Sequence, residues 1–185
     1  TMMNRLIKDL EKDYKLFITK QPTNSVRESA IFRTYMDSPD HSGYDYRSLS
    51  LLAASDRIQH VNKVIEPSMQ KGDIVISDRY FYSCLANLRA RGYVKDAWIY
   101  EISESIVKPD IAFFFDAPGD VAIRRVRSRE NEKNRFIDVG FQEKLRNEYK
   151  RICEANGGII VPTDNSLEET YGIVKKYLDK ELILC

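Results

Sequence analysis

Short apolar runs alternate along this chain with longer stretches in which apolar residues return every three or four positions. Leu16-Phe17-Ile18 is the first short run and ends at Thr19 before a polar loop. Ile74-Val75-Ile76 follows Gly72-Asp73 and stops at Ser77-Asp78. Residues 111–115, introduced by Pro109-Asp110, form the third run, and Ile159-Ile160-Val161, stopped by Pro162, the fourth. Runs this short and this uniformly apolar predict strands covered on both faces. The longer stretches predict helices over 2–14, 46–70 and 98–106, and over parts of 120–129, 140–154 and 167–178. In the longest, Leu51, Ala54, Ile58, Val61 and Ile65 line up as a core stripe, with Ala53, Arg57 and His60 beside it. Residues 38–43, 131–134 and 156–158 read as loops. Strands alternating with helices predict a parallel α/β protein, and no boundary divides the chain, so 1–185 reads as one domain.

Ligands of parallel α/β sheets bind beyond the carboxyl ends of the strands. Those ends read Thr19-Lys20-Gln21-Pro22, Ser77-Asp78-Arg79-Tyr80 and Asp116-Ala117-Pro118, and the first two carry cations. With 29 basic and 28 acidic residues, the net charge of +1 provides no coat for nucleic acid. An anion site must therefore be a local cluster. The densest basic run is Arg124, Arg125, Arg127 and Arg129, followed by Lys133 and Arg135. Cys84, Cys153 and Cys185 are scattered, form no zinc pattern, and read as the reduced thiols of a cytoplasmic protein. His41 and His60 suggest neither a metal site nor a triad, and Trp98, Phe113, Phe114 and Phe115 read as core. No apolar run reaches the roughly 20 residues of a membrane span.

Asp78-Arg79-Tyr80 after an apolar strand resembles the DR[YH] motif of thymidylate kinases. Upstream, 53–61 resembles the family's helix segment, where an arginine, here Arg57, reaches the nucleobase. Downstream, Ser83 and Ala86 match the small residues after the motif, and Gly92, Asp96 and Trp98 match its G-x-x-x-D-x-W stretch. Residues 108–116 resemble its PD-strand-D segment, and Arg125, Arg129 and Arg135, then Phe136, its basic lid. The likeness runs from Thr1 to about residue 178. It implies a P-loop NTPase-like three-layer α/β sandwich with a mostly parallel sheet, and a lid at about 124–138. It also implies a homodimer that uses ATP and Mg²⁺ to phosphorylate a nucleoside monophosphate, with dTMP as the default acceptor. Arg79 would clamp the acceptor's phosphate with its planar donor fork. Asp78 would orient it or hold magnesium-bound water. Arg129 and Arg135, with Arg125, would act on the transferring phosphoryl group. Lys20, Ala53, Arg57, Tyr80, Ser83 and Asn87 would surround the acceptor.

The departures from the pattern bear on the acceptor. The family's TREPGG loop reads Thr19-Lys20-Gln21-Pro22-Thr23-Asn24. The aromatic that lies on thymine is matched by Ala53, and the aromatic-plus-Gln pair by Asn87-Leu88. Two other readings therefore stand beside dTMP. One is a kinase of another nucleotide or of a deoxynucleoside; the other is a nucleotide-binding protein with a decayed catalytic site. The family's phosphate loop has no counterpart here, and Thr1 matches the position just after it. The family sheet has five strands and its central first strand is missing from this sequence. The expectation is a natural chain longer by roughly 15 residues upstream, a strand plus a G-x-x-x-x-G-K-[ST] loop, which intact-mass measurement checks.

Overall fold

The computed structural model describes residues 2–38, 41, 43–130, 133 and 137–182. Thr1, Arg135, Phe136 and Cys185 lie outside the described residues, as do parts of the loops expected at 38–43 and 131–134. The chain forms two compact units, one of residues 10–108, the other of 1–9 with 109–185. Each is built on a parallel strand pair with helices in the crossover.

In the 10–108 unit, β1 (Leu16–Lys20) pairs in parallel with β2 (Ile74–Asp78), in a register that puts Thr19 beside Ser77 and Lys20 beside Asp78. The crossover contains α2 (Asn24–Arg27), α3 (Ala30–Asp37) and the long helical stretch that follows. Ser29 caps α3 by accepting from Phe32 N at 3.3 Å, and Asp45 caps the next helix by accepting from Arg47 N at 2.9 Å. The helix expected at 46–70 is interrupted. It runs as α4 (Tyr46–His60), a π-helical turn over Val61–Ile65, and α5 (Glu66–Gln70). Pro67 is the reason the ladder re-registers there, because it lacks an N–H and its ring crowds the carbonyl four residues back. The core stripe is Ser50, Ala54, Arg57, Val61 and Ile65, with Leu49 buried beside it. Leu51, expected in that stripe, is 47% exposed because the buried face is centred one residue earlier. β2 leads into α6 (Phe81–Ala90), whose Leu85, Ala86 and Leu88 are fully buried. Burial of a leucine side chain contributes about 1.5–3 kcal/mol, so α6 anchors the unit. The sequence pattern shows no helix at α2, α3 or α6, and the helix expected at 98–106 is confined to α7 (Ala97–Ile102).

In the other unit, β3 (Phe113–Asp116) pairs in parallel with β4 (Ile159–Pro162), Asp116 standing beside Pro162. The strand expected from 111 begins two residues later. α8 (Gly119–Arg127) and α9 (Val139–Ala155) form the crossover, and α10 (Leu167–Leu182) follows β4. Ser166 and Glu169 cap α10 reciprocally: Ser166 Oγ accepts from Glu169 N at 3.2 Å, and Glu169 Oε2 accepts from Ser166 N at 3.0 Å. α1 (Met2–Leu10), shorter than the expected 2–14, is tied to α10 by Arg5–Glu168 at 2.9 Å and by Tyr171 Oη donating to Asp9 at 2.6 Å. Ile152, Cys153, Val161, Tyr171 and Val174 are buried in the core of this unit. Full cover of both strand faces is not found, since Ile18 on β1 is 39% and Phe115 on β3 50% exposed.

Candidate active site

In the 10–108 unit, the register of β1 and β2 fixes the geometry, since both strands end at the same level. Lys20 Nζ reaches Asp78 Oδ2 at 2.9 Å, so the carboxylate pairs with Lys20. Arg79, the next residue, is exposed and has φ +70°, the left-handed region that non-glycine residues seldom adopt. Two hydrogen bonds hold this turn. Ser77 Oγ donates to Arg79 O at 2.6 Å, and Arg79 Nε donates to Ser83 Oγ at 3.3 Å on the first turn of α6. The side chain is thus braced at one nitrogen and exposed. Tyr80 Oη donates to Val107 O at 2.9 Å, and burial pushes that hydroxyl up to about 12. Tyr80 is therefore a neutral wall.

The segment after β1 turns inward. Gln21 N donates to Asp78 O at 3.1 Å, and the Gln21–Pro22 peptide is cis. Thr23 is held by Asp56, whose carboxylate accepts from Thr23 N at 2.8 Å and also from its hydroxyl. Thr19 Oγ1 lies 2.7 Å from His60 Nε2. Arg57, one turn beyond Ala53 on α4, is 3% exposed, and its Nε donates to Gln21 Oε1 at 3.1 Å. Its guanidinium lies 5.9 Å from the Tyr80 ring centroid and 5.8 Å from that of Phe81. Asn87 is bound at both ends of its amide. Its Nδ2 donates to Ser83 O at 2.9 Å and its Oδ1 accepts from Arg91 at 3.0 Å. Arg91 in turn donates to Tyr35 Oη at 2.7 Å and lies 4.0 Å over the Tyr46 ring. Tyr35 packs against His41, Tyr44 and Tyr46, so these aromatics form their own cluster.

The carboxyl ends of β3 and β4 carry a second cluster, in the other unit. Asp116 accepts from Arg146 Nε at 2.6 Å and Nη2 at 2.9 Å, and Lys150 Nζ lies 3.1 Å away. These bonds, Arg146's above all, hold the Asp116 carboxyl below the usual carboxylate range. Thr163 Oγ1 donates to Asp116 O at 2.9 Å and accepts from Arg125 Nη1 at 3.0 Å. Arg125 thus stands against the loop after β4. Arg124 pairs with Asp120 at 2.8 Å, and Arg129, exposed, follows α8.

The structure places Lys20, Asp78, Arg79, Tyr80 and Ser83 together at the ends of β1 and β2, and buries Arg57 behind them. Gln21, Asp56, Arg91, Arg146 and Lys150 were not singled out by the sequence. Gln21 had one signal, its place in the TREPGG-like loop. Arg146 and Lys150 are helix cations that no local pattern separates from a solvated face.

Parallel strand–helix–strand units whose strand ends gather cations beside a carboxylate define a parallel α/β protein suited to phosphate-bearing ligands. The thymidylate kinase family model matches residues 1–172, and the chain belongs to that family, a family of phosphotransferases that use ATP. A probable thymidylate kinase of Pyrococcus horikoshii is 32% identical over 176 residues, covering 94% of this chain and 85% of that protein. A thymidylate kinase of Onion yellows phytoplasma is 30% identical over 182 residues, covering 94% and 87%. The crystal structure of thymidylate kinase from Ehrlichia chaffeensis shares the fold, with a TM-score of 0.72 at 20% identity over 96% of this chain and 90% of that one.

Proposed function

We propose that the chain moves the γ-phosphoryl group of ATP to dTMP, giving ADP and dTDP. An oxygen of the acceptor's phosphate forms a bond to the γ-phosphorus. The bond from that phosphorus to the β,γ-bridging oxygen breaks, and ADP leaves with the electron pair. The observation that carries the reading is Arg79, held at positive φ beside the Lys20–Asp78 pair, in a chain of the thymidylate kinase family. Transfer of this kind rests on positioning and charge neutralisation. Arg79 clamps the acceptor's phosphate, and Lys20 supplies a second positive charge. Asp78 orients Lys20. Arg57 donates to the base, while Ala53, Tyr80, Ser83 and Asn87 shape the acceptor's surroundings. Arg125, Arg129 and Arg135, in a lid at about 124–138, act on the donor's phosphates.

Among the described residues no group of three or more His, Cys, Asp or Glu could cage a metal. Asp78, half-exposed, suits Mg²⁺, which is held by one or two carboxylates and the nucleotide phosphates. When bound, the ion neutralises phosphate charge. No helix among the described residues is long and apolar enough to cross a membrane. We place the protein in the cytoplasm as a homodimer, each chain one nucleoside-monophosphate-kinase domain.

A coupled ADP-release assay across nucleoside monophosphates and deoxynucleosides tests the reading. Turnover with dTMP at the highest kcat/KM is expected. Turnover only with another acceptor, or none with any, overturns it.

A further inference from the structure

Arg57 is charged, 3% exposed, and its side chain meets uncharged groups: the Gln21 amide oxygen and the faces of Tyr80 and Phe81. Among the described residues no carboxylate stands within ion-pair distance of it. Asp56, its sequence neighbour, is committed to Thr23. A buried guanidinium is costly unless its donors are met. Here two donor groups are left open, Arg57 Nη1 and Gln21 Nε2, both sealed from solvent. Native interiors leave few such groups unpaired, and one that persists marks where an acceptor belongs.

Gln21 is 2% exposed and is fixed through its own backbone N–H to Asp78 O at 3.1 Å. It therefore couples the end of β2, which carries Arg79, to the arginine on α4. Its oxygen takes Nε at 3.1 Å and leaves Nη1 without a partner. The chemistry that satisfies an open guanidinium N–H is a lone pair, such as a keto oxygen. An exocyclic amino group offers only further N–H donors and is rejected.

We propose that Gln21 is a positioning residue: it holds Arg57 by Nε so that Nη1 is presented to a keto oxygen of the acceptor's base. The inference rests on the assignment of the acceptor to this unit. A base carbonyl lies away from the reacting phosphate, so its contact acts equally on bound substrate and transition state. Loss of aim then raises KM and spares kcat.

The test is steady-state kinetics of the full-length protein with Gln21→Met and Gln21→Glu, folding being checked by circular dichroism. Q21M keeps the volume and withdraws the acceptor oxygen. It should raise KM for dTMP about tenfold with kcat nearly unchanged. KM for ATP should stay the same, and the preference for dTMP over dCMP should narrow. Q21E still accepts from Nε and should keep KM for dTMP near that of the unaltered protein. If Q21M does not fold, Gln21→Asn replaces it, because the shorter amide withdraws the same oxygen.

A folded Q21M with unchanged KM for dTMP overturns the inference, the open donors then being met by buried water, and leaves the dTMP kinase reading standing. A Q21E that fails as Q21M does also overturns it. If the unaltered protein phosphorylates a different nucleoside monophosphate, the dTMP reading alone falls. The same pair of variants on that nucleotide then decides the role of Gln21.

Discussion

Arg79 is the residue at which conformation and chemistry conflict most openly. A non-glycine residue at φ +70° costs of order 1–3 kcal/mol, and Ser77 and Ser83 hold it there. Arg79→Ala should slow phosphoryl transfer by about 10²–10³-fold or more, as loss of a preorganised donor does, with little change in melting temperature. Arg79→Lys should recover little, because an ammonium cannot reproduce the planar fork. Arg79→Gly should be as inactive as Arg79→Ala yet more stable, by about 1 kcal/mol, because glycine adopts this φ freely. Calorimetry beside turnover separates these outcomes; near-normal turnover of Arg79→Ala would end the clamp assignment. Ala53 is the opposite case, where a small residue stands in place of a stacking ring. Ala53→Phe should tighten dTMP by up to about tenfold, roughly 1.4 kcal/mol. Loss of acceptor binding in that variant would show that the space beside Arg57 is used by another group. At this scale the motif residues were legible, because an apolar run ending in Asp-Arg-Tyr announces itself. The Gln21–Arg57 bond was not, since it joins residues 36 apart through tertiary packing. Nor was the fate of Asn87, whose amide serves Ser83 and Arg91.

The strands are the elements most exposed to the local chemistry of the chain, and their carboxyl ends were read to within two residues. The helices were read less well, for identifiable reasons. α6 has apolar residues on most of its faces, so it lacks the one-sided stripe that marks a surface helix. Pro67 was visible, but the π-helical turn before it was not, and the buried face runs through Ser50 instead of Leu51 because α4 packs against α2, α6 and α7. Two predictions belong to this scale. Gly158 precedes β4, and a Cβ there would meet Phe114 Cε2 at 2.6 Å and Cys153 Sγ at 2.9 Å. Gly158→Ala should therefore cost about 1–3 kcal/mol through overpacking of β3 and α9, read as a lower urea midpoint with unchanged slope. An unchanged midpoint would mean that the ring and thiol yield freely. The second concerns Asp116, held below the usual carboxylate range chiefly by Arg146. A depressed carboxyl contributes stability above its unfolded pKa of about 3.9 and loses it as pH falls through the folded value. Asp116→Asn should cost about 1–3 kcal/mol at pH 7, and the gap to the unaltered protein should close below about pH 4. A gap that persists undiminished in acid would assign the cost to packing.

For the molecule as a whole, the near balance of 29 basic and 28 acidic residues means that nucleotide binding must be local. In the proposed reading, Lys20 and Arg79 supply the charge that the acceptor meets. Local binding has a global readout, because a ligand that binds only the folded state stabilises all of it. At a concentration about 100 times its Kd, dTMP should add about 2.7 kcal/mol to the unfolding free energy. For a chain of this length each kcal/mol moves the midpoint by about 2–4 °C, so a shift of about 5–11 °C is expected. ATP should give a shift of its own, because the cations assigned to it are separate residues. The two ligands then report on Arg79 independently. Arg79→Ala should lose more than half of the dTMP shift and keep the ATP shift, since the clamp acts on the acceptor alone. Loss of both shifts would mean that Arg79 holds the donor or the fold instead. Retention of the full dTMP shift would mean that the phosphate is bound elsewhere, and Lys20→Ala would then be the variant expected to abolish it.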